Sequence, residues 1–373
     1  MLELFTGHSL DESVRQRSSS GGLIRECCRH ALETHQVDGI ITLRHDAGMS
    51  YVPHLYQTTA DLVEHMPCSI YHNVSFERVF EILKTMPGRF LLIALPCQLT
   101  AVRKWLRLLR EPPPGELALT IGLICGWMYS WNTIKHFARS QGVHAEELSD
   151  VAYRGGDAVG RIRLHTPNGN RMFHRRPQYA EHSHTAAFRV AFSRTYASQR
   201  CLVCVEHLNY LADIAVGDAW LDRFSATSQG ESLILVRSQK GRAFISALQK
   251  SGRLELQCAT PSDVVEAQNV FAKAEPAVML HNRMRVLGAW VPRFVRPFTV
   301  SAKCSYRHWF KNFLNPSLTR LTWRVGVGYG WFCLRVIRWG MEESFWQSKT
   351  ADWLRAVKRR LCAGRRTQPR NSV

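Results

Sequence analysis

RFLLIALPCQLTAVRKWLRLLREPPPGELALTIGLIC, residues 89–125, holds two apolar runs separated by a helical pattern. Residues 89–95 and 119–125 are short and almost continuously apolar, the mark of strands buried on both faces. Between them Leu99–Arg110 has helical spacing, and Pro112-Pro113-Pro114-Gly115 forms the turn that leads back. A strand, a crossover helix and a second strand place the two strands parallel in one sheet. Upstream, residues 22–35 set Leu23, Ile24, Cys27, Cys28, Ala31 and Leu32 at helical spacing, Asp38–Leu43 reads as a strand, and Glu77–Met86 as a helix. Downstream, Thr133–Gln141 reads as a helix, and Arg161–Leu164 and Arg171–Phe173 flank the hairpin signal Pro167-Asn168-Gly169. Strand, helix and strand follow at Ser232–Val236, Gly241–Lys250 and Leu254–Leu256. The fold class expected is α/β, a mixed sheet with flanking helices, with neither internal repeats nor low-complexity segments.

The chain has 373 residues, and its 45% of apolar residues excludes wholesale disorder. No stretch of eighteen apolar residues occurs, which excludes a conventional spanning helix. The opening MLELFTGHSLDESVRQRSSSGG lacks a basic-then-apolar leader, so a cytoplasmic location is expected. Thiols stay reduced there, which makes the eleven cysteines ligands or core residues rather than disulfides. The net charge of +19 is unevenly placed. Residues 283–373 carry 19 Lys+Arg against three acids, and residues 1–282 carry 30 against 27, a net of only +3. Seven of the eleven tryptophans also lie in that last part, and Pro292 and Pro297 interrupt any helix near the junction. The expected domains are a near-neutral body, 1–282, and a basic Trp/Arg-rich extension, 283–373.

Four cysteines stand apart by their surroundings. Cys97 follows a strand in Leu95-Pro96-Cys97-Gln98, Cys125 ends one in Gly122-Leu123-Ile124-Cys125-Gly126, and Cys201 and Cys204 form a C-x-x-C pair. That spacing lets two thiolates face one metal centre, and two single cysteines at strand ends could complete a four-thiolate site for zinc or a [4Fe–4S] cluster. On residues alone the pair fits a metal site, a redox disulfide or plain packing, and Cys97 and Cys125 taken singly read as buried structural cysteines. Cys27, Cys28, Cys68, Cys258, Cys304, Cys333 and Cys362 lack ligand-like spacing and read as core or tail residues.

Further motifs follow in order. They are Ser20-Gly21-Gly22 opening a helix, Val37-Asp38-Gly39-Ile40-Ile41, Pro96-Cys97-Gln98, Ile121–Gly126 and Tyr153-Arg154-Gly155-Gly156. Arg200–Cys204 then runs on through Ala212–Trp220, and Gly230-Glu231-Ser232-Leu233 leads to Val236-Arg237-Ser238. Together they resemble the beta subunit of coenzyme F420-reducing hydrogenase and F420-dependent formate dehydrogenase, a family that includes plant 7-hydroxymethyl chlorophyll a reductase. The resemblance spans about residues 15–255.

It implies a flavoprotein with FAD and a [4Fe–4S] cluster, with Cys97, Cys125, Cys201 and Cys204 as cluster ligands. Coenzyme F420 is one candidate acceptor among the family's different substrates. Ser20, Gly21 and Gly22 become flavin-phosphate contacts, set against an ordinary Ser20 N-cap. Arg154 with Gly155 and Gly156 becomes a phosphate or flavin-edge contact, set against a turn with a solvated arginine. Asp213, Gly217 and Asp218 are candidates to line the same site, and Glu206 stands where the family has an acid after the cysteine pair. Many relatives carry an N-terminal ferredoxin segment. This chain opens at the flavin-domain motifs, so a separate redox partner protein or small-molecule donor is expected.

In residues 318–340 a helical wheel puts Arg320, Arg324, Arg335 and Arg338 on one stripe, beside an apolar face of Leu321, Val325, Tyr329, Phe332, Val336 and Trp339. Trp353–Leu361 repeats the pattern. Such helices lie in the headgroup region of anionic membranes, so 318–362 is expected to attach peripherally to the inner face of the cell membrane. Packing on the protein's own body is the alternative. Nucleic acid is less favoured, because the aromatics segregate from the basic residues. The leading function is an iron–sulfur flavoprotein oxidoreductase. The alternatives are a zinc-stabilised binding protein whose basic tail contacts nucleic acid or an acidic partner, and a family member that keeps its cofactor and only scaffolds.

Overall fold

The computed structural model describes residues 3–154, 161–174, 191–192, 196–224, 230–286, 288 and 291. From the amino end the chain runs β1 (Glu3–Ser9), α1 (Glu12–Gln16), α2 (Leu23–Glu33), β2 (Gly39–His45), β3 (Tyr51–Tyr56), α3 (Thr59–His65) and α4 (Glu77–Thr85). The decisive stretch follows as β4 (Gly88–Ala94), α5 (Pro96–Leu108) and β5 (Gly115–Leu123), with α6 (Asn132–Ser140) after it. Next come three short strands, β6 (Asp150–Ala152), β7 (Arg161–Thr166) and β8 (Gly169–His174), then α7 (Gln199–Leu202) and β9 (Ile214–Asp218). The described part closes with β10 (Ser232–Val236), α8 (Gln239–Lys250), β11 (Leu254–Cys258), α9 (Pro261–Gln268) and α10 (Val270–Val286).

Eight strands form one mixed sheet in the order β11-β1-β10-β9-β5-β4-β2-β3. Its centre, β2, β4, β5 and β9, is parallel, as the crossover in 89–125 predicts. Both flanks are antiparallel: β3 pairs with β2 on one side, and β10, β1 and β11 extend the other. The parallel strands are apolar on both faces because both are covered. α2 and α8 bring Leu23, Cys27, Phe244 and Leu248 against Ile40, Leu91, Ile121 and Val236. On the opposite face α4 and α5 bring Val79, Leu83, Leu99 and Val102 against Ile41, Phe90 and Leu92. Adjacent pairs such as Leu91 and Leu92 thus enter different cores, as the two-residue period of a strand demands.

β6, β7 and β8 make a separate antiparallel sheet closed by the Gly169 turn, at φ +112°, which only glycine adopts freely. α6 packs Ile134 and Phe137 onto its Val151, Ile162 and Leu164.

Four strands, β1, β3, β6 and β9, go beyond the sequence reading. β1 carries Gly7 and polar residues and gains its strand character from partners more than two hundred residues away. β3 contains Pro53, tolerated because the strand lies at the sheet edge. β9, quoted above only as part of a motif, is a buried central strand. α10 continues through Val286. No helix among the described residues is long and apolar enough to cross a membrane. The amphipathic segment 318–362 lies outside the described residues, as do Gly155 and Gly156.

Candidate functional site

The parallel strands deliver the cysteines. β4 ends at Ala94, two residues before Pro96 opens α5, which sets Cys97 in the first turn of that helix. β5 ends at Leu123, and Cys125 follows two residues later, its N–H donating to the His207 carbonyl at 2.9 Å. Cys201 lies on α7, and Cys204 directly after it, its N–H donating to the Cys201 carbonyl at 3.2 Å. The segment beyond the pair is sewn across the strand ends. Asn209, in the left-handed conformation at φ +55°, donates its amide to the Ala94 carbonyl at 2.9 Å and the Leu123 carbonyl at 3.3 Å. It thereby ties the ends of β4 and β5 together, beside the residues that lead to Cys97 and Cys125.

The four thiols lie within electrostatic reach of one another. Burial first, then Cys201, Cys97 and Cys204, pushes the Cys125 thiol far above its ordinary value. Burial and the neighbouring thiols Cys204 and Cys97 push Cys201 up to about 11. Cys204 is raised as well, burial again being the main cause. Such a group resists holding several thiolates at once unless a cationic centre compensates them. Among the described residues, no three Cys, His, Asp or Glu side chains are arranged to hold a single metal ion. A lone zinc would need thiolates about 3.8 Å apart. Four thiols within electrostatic reach of one another are the donor chemistry that a thiolate-held cluster uses. Cys97 is exposed, which corrects the reading of it as a buried structural cysteine.

A second feature is an open cleft of about 670 Å³ lined by Arg17, Arg25, Arg154 and Arg163, with Glu64 as the acid in its wall. Arg25, in the first turn of α2, is only 8% exposed. Its Nε donates to the Arg17 carbonyl at 3.0 Å and its Nη2 to the Met66 carbonyl. Its Nη1 is buried and has no hydrogen-bond partner among the described residues. A buried guanidinium with an unused donor on a cleft wall suits an anionic ligand.

Ser20, Gly21 and Gly22 adjoin this region and do not line the cleft. Ser20 is not an N-cap: its hydroxyl donates to the Glu231 carbonyl at 2.7 Å, and Gly22 caps α2 at φ +84°. Gly21 is wedged between strands, where an added Cβ would lie 2.7 Å from the Gly7 carbonyl oxygen.

Arg154 does line the cleft and is 3% exposed, which corrects the solvated-turn alternative. Its Nη1 donates to both carboxylate oxygens of Asp218, at 2.8 and 2.7 Å, and its guanidinium stands 5.2 Å from the Trp220 ring centre. Asp213 serves the sheet instead. It accepts from Thr120 N–H and Oγ at 2.9 and 2.7 Å and from Ser238 Oγ at 2.6 Å. Gly217 packs against Ile124. Glu206 is half-buried, and burial raises its carboxyl.

Two family descriptions match this chain. Coenzyme F420 hydrogenase/dehydrogenase, beta subunit N-term, matches residues 4–76, and the corresponding C terminus matches residues 88–262. The chain belongs to the coenzyme F420 hydrogenase/dehydrogenase beta subunit family. Among similar members, a coenzyme F420 hydrogenase subunit beta of Methanococcus voltae is 21% identical over 255 residues, 67% of this chain and 82% of that one. One from Methanosarcina barkeri (strain Fusaro / DSM 804) is 22% identical over 260 residues, 67% of this chain and 79% of that one. The fold is similar to a chain of the xenon-derivatised F420-reducing [NiFe] hydrogenase complex from Methanosarcina barkeri. The TM-score is 0.59 at 18% identity, covering 79% of this chain and 96% of that one.

The family's N-terminal part carries Arg17 and Arg25, and its C-terminal part carries all four cysteines, Arg154 and Arg163. The arginines at 17, 25 and 163 escaped the sequence reading because they come from segments far apart in sequence. Only the tertiary fold gathers them, around one cleft. Cys27 and Cys28 are core residues as expected, fully buried, with Cys28 pushed up to about 12 by burial. Two cysteines depart from the core reading: Cys68 borders the cleft and Cys258 is exposed on β11. Cys304, Cys333 and Cys362 lie outside the described residues.

Proposed function

We propose that the chain is an iron–sulfur flavoprotein oxidoreductase passing electrons between a [4Fe–4S] cluster, FAD and an organic acceptor, with coenzyme F420 a candidate for the last. The observation that carries the proposal is that four thiols from three separate stretches lie within electrostatic reach of one another, two of them just beyond the carboxyl ends of parallel strands. Cys97, Cys125, Cys201 and Cys204 would hold the cluster, and their mutual electrostatic coupling is what such a ligand set requires. Arg25, Arg17 and Arg163 supply the positive wall that flavin phosphates need, and Ser20, Gly21 and Gly22 shape the entry to α2 beside it. Arg154, neutralised by Asp218, positions the cleft wall more than it offers charge. When bound, the cluster supplies one-electron relay and the flavin its conversion to hydride equivalents.

The similar proteins are hydrogenase subunits by name, which supports a protein redox partner here. Peripheral attachment through 318–362 belongs to the same reading. It predicts that the full chain co-sediments with anionic vesicles, and that replacing Arg320, Arg324, Arg335 and Arg338 with Glu abolishes this. Equal binding by both chains defeats it.

Anaerobic purification tests the central proposal. A brown protein with about four iron and four sulfide per chain and the visible absorbance of bound flavin is expected. A colourless protein with one zinc overturns it in favour of the zinc-stabilised binding protein. Bound cofactors without turnover on any donor would mark a scaffold.

A further inference from the structure

α10 begins where Asn269, at φ +47°, ends α9 and turns the chain back. The helix packs on α7, which carries Cys201. Its Ala277 is fully buried, and Leu280 joins the cluster of Leu202 and Tyr129. Lys273 precedes these by four and seven residues, so it occupies the same face of the helix. It is half-buried, and both Cys125 and Asp218 feel its charge. Asp218 already gives both carboxylate oxygens to Arg154. Lys273 itself makes no hydrogen bond or ion pair among the described residues, and burial lowers its affinity for a proton. A half-buried ammonium without a direct partner is costly unless negative charge develops nearby.

We infer that Lys273 supplies a fixed positive charge to the four-cysteine site and raises the reduction potential of the cluster held there. The inference rests on the cluster reading above. It concerns α10, which lies beyond residue 262, where the family match ends. Four thiolates give the site net negative charge, and reduction adds one electron without making or breaking a bond or moving a proton. A cation close by therefore stabilises the reduced form more than the oxidised one. Lys273 acts at a distance, through its field alone, and takes no part in bond chemistry.

The test is a redox titration of the full-length, cluster-loaded protein with dithionite and mediators, read by electron paramagnetic resonance of the reduced cluster. At the potential where half the wild-type cluster is reduced, Lys273→Met is expected to hold about a tenfold smaller ratio of reduced to oxidised cluster, equivalent to about 59 mV for one electron. Lys273→Arg is expected to keep the wild-type midpoint, and Lys273→Glu to lower it further. Lys240→Met, on the exposed start of α8, is expected to change nothing. Should Lys273→Met lose iron, Lys273→Gln compared with Lys273→Arg at full iron content decides the matter. An unchanged midpoint in the neutral and acidic variants overturns the inference and leaves the cluster reading standing. A wild-type protein without iron overturns both.

Discussion

Arg154 Nη1 donates to both carboxylate oxygens of Asp218, at 2.8 and 2.7 Å, with the arginine almost fully buried. The pair fastens the end of β6 to the end of β9. It therefore joins the small sheet, which helps to form the cleft, to the large sheet, which presents the cysteines. Burying one charge without the other is far more costly than burying neither. Asp218→Ala is expected to lower unfolding free energy by about 3 kcal/mol or more, and the double change Arg154→Met, Asp218→Leu to recover much of that loss. Urea denaturation of the three proteins checks this. A double variant no more stable than Asp218→Ala would show that the pair contributes more than charge compensation.

Cysteine substitution should separate ligands from bystanders. Cys97→Ser, exposed though Cys97 is, is expected to lose most of the iron. Cys68→Ser, whose thiol donates to the Arg17 carbonyl at 3.1 Å, and Cys258→Ser are expected to keep it. Iron and sulfide assays on anaerobically prepared protein measure the difference.

Flavin retention should depend on the cleft. Arg25→Met removes a charged donor worth about 1.5–3 kcal/mol to an anionic ligand, a loss in FAD affinity of roughly 10- to 100-fold. Arg163→Met, less buried, is expected to weaken binding less and to leave iron content unchanged. Flavin released on ultrafiltration gives both values, and full retention by Arg25→Met would remove the cleft from the flavin site.

Gly122→Ala places a methyl group 2.3 Å from the Asn209 side chain that ties β4 to β5. Overpacking of this kind costs about 1–3 kcal/mol. Displaced Asn209 should also loosen the segment after the cysteine pair, so a lower melting temperature and faster loss of iron are expected together.

His72 and His136 are buried, and burial drives both from 6.5 down to about 4, for His72 against the pull of Asp150. The native state thus binds fewer protons than the unfolded chain between those values. Stability is complete above about 6.5 and falls as pH drops toward 4, by on the order of 3 kcal/mol for each ring. The double change to Gln is expected to flatten the acid limb of a plot of urea midpoint against pH. An unchanged slope would exclude these rings as its source.

The apolar run, crossover helix and second run of 89–125 declared the parallel centre of the sheet, because burial on both faces leaves a mark in consecutive residues. Helical spacing likewise declared α2, α4 and α6. β1 left no such mark: its pairing with β10 and β11 supplies the hydrogen bonds that its composition does not advertise. Ser20 shows the same limit, since its residue type suits a cap and only the nearby Glu231 carbonyl explains where its hydroxyl goes.

The amino-acid sequence by itself determined the parallel centre of the sheet, its crossover helix and the family, because periodicity, motif order and residue chemistry are local or cumulative properties of the chain. Only the tertiary structure decided that the four thiols come within electrostatic reach of one another, that Arg25 is buried with a donor unused, and that Arg154 belongs to Asp218. Each depends on which distant segments the sheet brings together and on what solvent that packing removes.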